Sequence, residues 1–293
     1  MRSRKRNRIR EGNPVVTGIL YLLVILICAV TLYPMYYVLI LSVSAPEIAA
    51  RMDVYWFPKG FSLDAYRMLI GDKEMWRAYL NTILYTVPTT LLMLATSVMI
   101  AYPLTYKRLM GRKYLNLFLL IPMYFSGGMI PAFLLITKLG LYANPLSQII
   151  PACFSIWNII LMKAFFSSIP EGMREAAKID GAGILRILKD VYLPLSKPIL
   201  AVISVYTIVG TWNSWFSALV YLPRTDWQPL QLFLRRILVE STRQVTEILT
   251  PELAAEMMRK QMSGAQLKYA MIIFTTLPIL FTYPSFQKYF VKG

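Results

Sequence analysis

The chain has 293 residues, of which 57% are hydrophobic and 16% are charged, and its formal net charge is +16. A soluble domain cannot bury so much apolar surface, so the composition favours a polytopic membrane protein. The sequence has no histidine and only two cysteines, Cys28 and Cys153, both in apolar runs. This excludes His-based catalysis and Cys/His metal sites and argues against a disulfide framework. The positive charge does not indicate nucleic-acid binding, because membrane proteins concentrate Lys and Arg on their cytoplasmic side.

Six apolar runs follow one another along the chain, each long enough to cross about 30 Å of hydrocarbon as a helix. They are residues 15–43, 81–106, 115–137, 146–166, 198–221 and 270–287. The first run follows a basic segment, but it is too long for a signal peptide and no small-residue cleavage site follows it. The sequence therefore predicts an all-α fold with one transmembrane domain, residues 15–287, between the terminal segments 1–14 and 288–293.

The distribution of Lys and Arg predicts the orientation of this domain. If the N-terminus is cytoplasmic, the segments on its side carry 17 Lys and Arg in 59 residues, and the segments on the other side carry 13 in 93. The density on the inner side is thus about twice that outside, as the positive-inside rule requires. We therefore expect both termini, and the segment 167–197, in the cytoplasm.

Segment 167–197 is charged and punctuated by glycine, although it lies between two apolar runs. Ser168 and Glu171 fit a capping box, which predicts a short helix from near Ile169 that Gly181 ends. A second short helix is expected to stop before Pro194. Its apolar stripe would consist of Ile184, Ile187, Leu188 and Val191. The pair is interpreted either as a loop on the lipid headgroups or as a docking knob for another protein.

Several strings in this sequence resemble a known family. The pattern of Glu175-Ala176-Ala177, three residues, Gly181, nine residues and Val191-Tyr192-Leu193-Pro194 resembles the EAA loop of binding-protein-dependent ABC importer permeases. The family usually has Ile where this chain has Val191. Asn81-Thr82 and Trp212-Asn213 resemble the carbohydrate branch, including the smaller permease of the maltose importer. FSGGMIPAFLLITKLGL at 125–141 is similar to permeases for oligosaccharides and polysaccharides, such as the second permease of the alginate importer.

The resemblance implies a type I ABC importer fold and a bacterial inner-membrane location. In that family the EAA loop enters a cleft of the ATPase subunit as a coupling helix. The residues that would couple to the ATPase here are Glu175, Ala176, Ala177, Asp180, Gly181, Leu193 and Pro194. The implied partners are a second, non-identical permease, two ATP-binding-cassette subunits and an extracytoplasmic solute-binding protein. This chain would bind no cofactor itself, since ATP and Mg²⁺ belong to the ATPase.

Two long segments, 44–80 and 222–269, fall on the predicted outer side. The second contains an amphipathic stretch from about Glu252 to Gln261. Loops of this length usually have a function. A structured cap over the bundle is one interpretation. The resemblance favours the other, a docking surface for the binding protein.

The resemblance directs attention to the string TWNSWF at residues 211–216 as a sugar path. Trp212 and Trp215 are three apart and would share a helix face, which suits stacking on sugar rings, and Asn213 can hydrogen-bond hydroxyls. Asn81 is the fourth candidate residue on this path. With the outer helix end near Tyr221, Trp212 lies about 14 Å deep, too deep for an interfacial aromatic belt. Packing within the bundle is the alternative for Trp212, and an interfacial aromatic belt is the alternative for Trp215.

The energy source can also be argued from the residues. No G-x-x-x-x-G-K-[ST] motif occurs, so the chain does not cradle nucleotide phosphates by itself. The six runs contain no Asp, Glu or His, and Lys163, expected to snorkel to the interface, is their only ionisable group. This disfavours a proton-coupled carrier. The remaining alternative is an ion-coupled secondary sugar transporter driven by sodium through the broken third run, with its Pro122, Gly127, Gly128 and Pro131. No paired carboxylates or Ser/His constellation indicate an enzyme.

Overall fold

The computed structural model describes residues 14–240 and 251–290, and all regular structure in these ranges is helical. The all-α prediction is therefore confirmed. The helices are α1 (Pro14–Ser42), α2 (Pro46–Arg51), α3 (Asp64–Gly71), α4 (Lys73–Leu104), α5 (Arg112–Tyr124), α6 (Met129–Lys138), α7 (Leu146–Ile149), α8 (Ile156–Ser168), α9 (Glu171–Ile179), α10 (Ile184–Ile187), α11 (Leu193–Leu195), α12 (Lys197–Trp212), α13 (Phe216–Tyr221), α14 (Leu230–Glu240) and α15 (Pro251–Phe290). Two 3₁₀ turns (Pro151–Cys153 and Thr225–Trp227) and a π turn (Leu188–Tyr192) complete the set.

Three helical stretches are long and apolar enough to cross a membrane on their own: Val15–Ser42, Lys73–Leu104 and Gly264–Gln287. Three bent pairs of helices also qualify if each pair counts as one span. They are Arg112–Tyr124 with Met129–Lys138, Leu146–Cys153 with Ile156–Ser168, and Ile184–Leu195 with Lys197–Trp212. Each of the six predicted runs overlaps one of these stretches. The number of spans and their boundaries stay predictions.

The sharpest bend separates α5 from α6, which meet at 114°. Gly128 lies at this break with φ +85°, a conformation that residues with a Cβ rarely adopt. The sequence interpretation of a broken third run agrees with this geometry. A second bend, of 77°, falls at Ser196, where the helices of segment 167–197 give way to α12.

The prediction of one continuous helix over 198–221 was wrong. Helix α12 ends at Trp212, and α13 begins at Phe216 with Trp215 at its N-cap. Asn213 and Ser214 lie between them, and polar side chains of this kind compete with helical backbone hydrogen bonds. Ser214 Oγ lies 3.1 Å from the hydroxyl of Ser217 on α13, with which it shares a hydrogen bond. Trp212 and Trp215 therefore do not share the face of one helix.

The described chain divides into two compact units. The first unit contains α1, α2 and the part of α15 before residue 274. Its buried cluster consists of Ile40, Leu41, Ala49, Val54 and Tyr269. The buried amide of Gln266 donates to the carbonyls of Ser42 (3.3 Å) and Ser62 (3.1 Å), which satisfies backbone oxygens where α1 ends. The most apolar part of α1 buries no residue inside the chain.

The second unit is built around α4, on which α8 and α12 pack. The buried face of α4 is rich in small hydroxyl residues, namely Thr82, Thr86, Thr89, Thr90 and Ser97. Small side chains let membrane helices approach closely, and their hydroxyls can bond to backbone carbonyls. Thr82 and Thr90 do so, each donating to the carbonyl four residues earlier. Helix α4 contacts both candidate sites. The charged loop 167–197 packs on its C-terminal end, and a cavity is lined by residues nearer its N-terminal end.

Candidate functional site

Helix α9, which carries the EAA string, begins at Glu171, two residues later than expected. The predicted capping box is absent, because Ser168 Oγ donates to the carbonyl of Phe165 (2.7 Å) and no side chain caps α9. Pro170 occupies the N-cap position instead. Its fixed φ and missing N–H suit the start of a helix, where backbone donors have no helical partner.

The other end of α9 is formed as the sequence predicts. Gly181 has φ +78°, the left-handed conformation that favours glycine. Its N–H bonds to the carbonyl of Lys178 (3.0 Å), and the N–H of Ala182 bonds to the carbonyl of Ala177 (2.9 Å). These two bonds form a Schellman motif, which stops the helix and turns the chain into α10.

The second part of the loop is longer than expected. Helix α10, the π turn and α11 follow one another through Pro194, so the prediction that the helix stops before this proline was wrong. Pro194 lies in the first turn of α11, where a missing N–H is tolerated. The break comes at Ser196, whose N–H bonds back to the carbonyl of Tyr192 (3.0 Å).

The loop has an outer face that carries part of the predicted coupling set. Glu175, Ala176, Asp180, Gly181 and Pro194 are exposed. Two large apolar side chains that the sequence analysis did not single out are exposed beside them, Ile179 at 86% and Leu185 at 79%. Exposed apolar side chains inside a charged rim are typical of a surface that binds a partner.

The inner face holds the rest of the predicted set. Ala177 and Leu193 are partly buried against the core of the second unit, which includes Phe166, Ile187 and Tyr192. Only Ala176 of the two alanines is therefore open to a partner. The small size of Ala177 instead lets α9 approach the bundle.

Arg174, which the sequence analysis missed, is the main polar contact of the inner face. It is only 8% exposed. Its guanidinium Nη2 lies 2.5 Å from Glu171 Oε1, and its Cζ lies 4.6 Å from the centre of the Tyr106 ring. Lys107 Nζ donates to Glu171 Oε2 (2.9 Å). The hydrogen bond and charge of Lys107, with Arg174 adding to them, hold the pKa of Glu171 below its usual value.

A cavity of about 450 Å³, here called the α4 cavity, lies in the second unit between α4, α7, α8, α12 and α13. Its polar lining consists of Thr82, Tyr85, Ser147, Gln148, Ser155, Asn158, Tyr206, Thr207, Thr211, Ser214, Ser217 and Tyr221. Gln148 and Asn158 are each only 7% exposed. Gln148 Oε1 accepts from Ser217 Oγ (2.7 Å), and its Nε2 donates to Ser147 Oγ (3.1 Å). Met93, Pro151, Ala152 and Pro229 also line the space, so it combines hydroxyls and amides with apolar surface, and no charged group among the described residues lines it.

The predicted path residues lie next to this cavity but do not line it. Asn81 donates to the carbonyls of Asp226 (2.8 Å) and Gln228 (3.1 Å), which fastens the 225–228 turn to α4. Asn213 is exposed, and its side-chain oxygen accepts from Gln231 (3.3 Å). The cavity is lined instead by their sequence neighbours Thr82, Thr211, Ser214 and Ser217.

Trp212 is buried, with 6% of its surface exposed. Its indole N–H donates to the carbonyl of Thr275 on α15 (3.1 Å), and its ring meets Tyr79 edge-on at 5.5 Å. One side of the ring borders a separate, mostly apolar crevice of about 300 Å³ between α4, α12 and α15. These contacts are those of a residue that packs helices together.

Trp215 is half-buried, and its ring is stacked against the side chain of Arg235. The Arg235 guanidinium lies 3.6 Å from the centre of its ring. Its ring also packs against a buried cluster that includes Tyr85, Ala218 and Leu222. A sugar ring could use this face of the indole only after Arg235 had moved.

A family model for the inner membrane component of binding-protein-dependent transport systems matches residues 76–293. The chain belongs to this family. Over 266 residues it is 35% identical to protein LplC of Bacillus subtilis, covering 90% of this chain and 88% of LplC. Over 282 residues it is 33% identical to the polygalacturonan/rhamnogalacturonan transport system permease protein YtcP of the same bacterium, covering 96% of each.

A solved structure is similar over nearly the whole chain. It is the crystal structure of a bacterial ABC transporter involved in the import of the acidic polysaccharide alginate, matched with a TM-score of 0.84 and 32% identity over 99% of both chains. Membership of the permease family confirms the resemblance drawn from the EAA loop, the type I importer fold and the inner-membrane location. This permease is a transport component and not an enzyme, as expected. The roles of its individual residues stay predictions.

Proposed function

We propose that the chain is the transmembrane permease subunit of an ATP-driven, binding-protein-dependent importer of an oligosaccharide or polysaccharide. It forms half of the translocation path, and a second, non-identical permease forms the other half. Two ATPase subunits bind ATP and Mg²⁺, and an extracytoplasmic solute-binding protein delivers the carbohydrate. Both termini and the EAA loop face the cytoplasm, where the loop meets the ATPase. The names of the relatives, a polygalacturonan/rhamnogalacturonan permease and an alginate importer, support a carbohydrate substrate.

The coupling of the EAA loop to an ATPase is supported by the difference between the two faces of the loop. Its inner face is anchored to the second unit through Ala177 and Arg174. Its outer face leaves Glu175, Ile179 and Leu185 without burial inside the chain. An exposed apolar tip with a charged rim fits a cleft in another protein better than it fits water.

The α4 cavity supports the proposed sugar path. Its volume of about 450 Å³ lies within the range of small-molecule sites, about 300–1,000 Å³. Amides such as Gln148 and Asn158 offer both donors and acceptors, as do hydroxyl groups, and sugars present hydroxyls of the same two kinds. We therefore place sugar contacts at the cavity-lining side chains and a packing role at Trp212.

The proposed function is tested on the assembled complex. Purification of the complex from its source membrane through this chain should recover a second permease and two ATPase subunits. Reconstituted into liposomes, the complex should hydrolyse ATP faster when the binding protein is present with its glycan, and a panel of neutral and acidic oligosaccharides would identify that glycan.

A different result would favour the alternative transporter class. Sugar uptake that continues in vesicles without ATP, and that stops when a sodium gradient is dissipated, would contradict the proposal. Recovery of this chain without any ATPase subunit would contradict it as well.

A further inference from the structure

Glu171, at the start of α9, is held by two cations that come from different parts of the chain. Arg174 lies one turn further along α9, an i,i+3 spacing at which side chains meet on a helix. Lys107 belongs to the segment after α4, 64 residues earlier in the chain. The carboxylate thus connects the EAA helix with the end of α4.

Arg174 makes this connection rigid. Its side chain is 10% exposed, and its guanidinium lies over the Tyr106 ring, again on the segment that follows α4. A buried cation is costly unless it is paired, and stacking on an aromatic face adds a further favourable contact. The Lys107–Glu171 pair contributes less to holding α9 in place, because the lysine side chain is 74% exposed. The buried arginine is therefore the stronger of the two contacts.

The second half of the loop reaches the same place. Tyr106 and Tyr102 join hydroxyls at 2.8 Å, and the Tyr102 hydroxyl also donates to the carbonyl of Ile184, the first residue of α10 (3.2 Å). The Tyr102 ring meets that of Tyr192, at the end of the π turn, with centres 5.0 Å apart. Both halves of the loop therefore converge on the end of α4.

Helix α4 extends from this junction to the α4 cavity. Tyr102 lies near its last turn, and Met93, Tyr85 and Thr82 line the cavity further back along the same helix. At 1.5 Å per residue, Tyr102 and Tyr85 are separated by about 25 Å along the axis. A displacement of α9 that is passed to the end of α4 would reach the cavity wall through a continuous helix.

We infer that Lys107, Glu171, Arg174 and Tyr106, here called the Glu171 junction, are positioning residues that couple the EAA loop to the cavity. The inference rests on the proposed function, since it requires an ATPase that moves the loop. The junction binds neither ATP nor sugar. It fixes α9 to α4, so that movement of the loop becomes movement of the helix that lines the cavity.

The experiment measures sugar transported per ATP hydrolysed by the full complex in liposomes. Arg174→Met keeps the side-chain length and removes the charge, and Lys107→Glu places a second carboxylate against Glu171. We expect each variant to assemble, to keep ATPase activity stimulated by the binding protein, and to lower the ratio at least about fivefold, the lower end of typical coupling between sites. Arg174→Lys keeps the charge and should restore part of the ratio.

The matched control is Arg186→Met in the same loop. Among the described residues Arg186 forms an ion pair only with Asp190, one turn along the same stretch, and both side chains are exposed, so the ratio should not change. If Arg174→Met prevents assembly, Lys107→Glu decides, because that lysine is at the surface. An unchanged ratio in Lys107→Glu, or an equal fall in Arg186→Met, would overturn the inference. A wild-type complex without ATP-dependent uptake would instead refute the proposed function.

Discussion

The EAA loop and the segment 211–217 both gave strong sequence signals, but their side chains are used in opposite ways. In the loop, Glu175 and Ala176 are exposed, while Arg174 and Ala177 secure the helix from behind. In the segment, Trp212 and Trp215 are occupied by contacts inside the chain. A predicted residue whose side chain is exposed, on a helix that is itself packed against the bundle, is available to a partner. A predicted residue whose polar and aromatic groups already have partners inside the chain stabilises the fold instead.

The largest effect expected from this comparison is that of Trp212→Ala. The substitution removes a buried indole and its hydrogen bond to Thr275, which should lower the stability of the second unit by about 3–5 kcal/mol. We expect loss of thermal stability and of complex assembly, measured by scanning fluorimetry and by co-purification. Trp157→Ala is the control, since that tryptophan is 57% exposed. Normal assembly with reduced uptake would instead assign Trp212 to the sugar path.

The loop is tested next at its glycines. Gly181 has φ +78° and Gly183 has φ −71°, and a Cβ at either position would meet no atom within 4 Å. Gly181→Ala and Gly183→Ala therefore differ only in backbone strain. Since a left-handed residue with a Cβ costs about 1–2 kcal/mol, Gly181→Ala alone should weaken ATPase association in a pull-down. Equal binding by both variants would mean that the orientation of α10 does not matter for docking.

The cavity provides the third test. Gln148→Leu removes an amide that bonds to Ser147 and Ser217, and it is expected to lower glycan uptake roughly tenfold, as loss of one or two hydrogen bonds would. Assembly and basal ATPase activity should stay normal. Gln287→Leu, at an exposed position near the end of α15, is the matched control. Uptake unchanged by Gln148→Leu would exclude this cavity from the path.

How far the sequence predicts the molecule depends on the range of the contacts involved. The glycine stop of α9 follows from a signal within a few residues and was predicted, whereas Glu175 was singled out only through the family resemblance. Arg174 was missed because its partner segment lies more than 60 residues earlier in the chain, although its i,i+3 spacing from Glu171 was a signal that could have been used. The cavity was missed for the same reason, since its lining comes from residues as far apart as Thr82 and Pro229. The helix break at Asn213 carries no proline or glycine, and its only local signal, the neighbouring polar side chains of Asn213 and Ser214, is weak.

The smallest expected effect concerns pH and the anchored side of the loop. Because Lys107 and Arg174 lower the pKa of Glu171, its ion pairs stabilise the folded loop fully above its unfolded pKa, near 4.5, and are lost as the pH falls through the lower folded value. The difference in melting temperature between the wild-type complex and Glu171→Gln should therefore be constant from neutral pH down to about 5. It should shrink toward zero on further acidification. Glu47→Gln is the control, since Glu47 is exposed on α2, outside the loop, and forms no ion pair within the described residues. A difference for Glu171→Gln that grows as the pH falls would show that this carboxylate does not anchor α9.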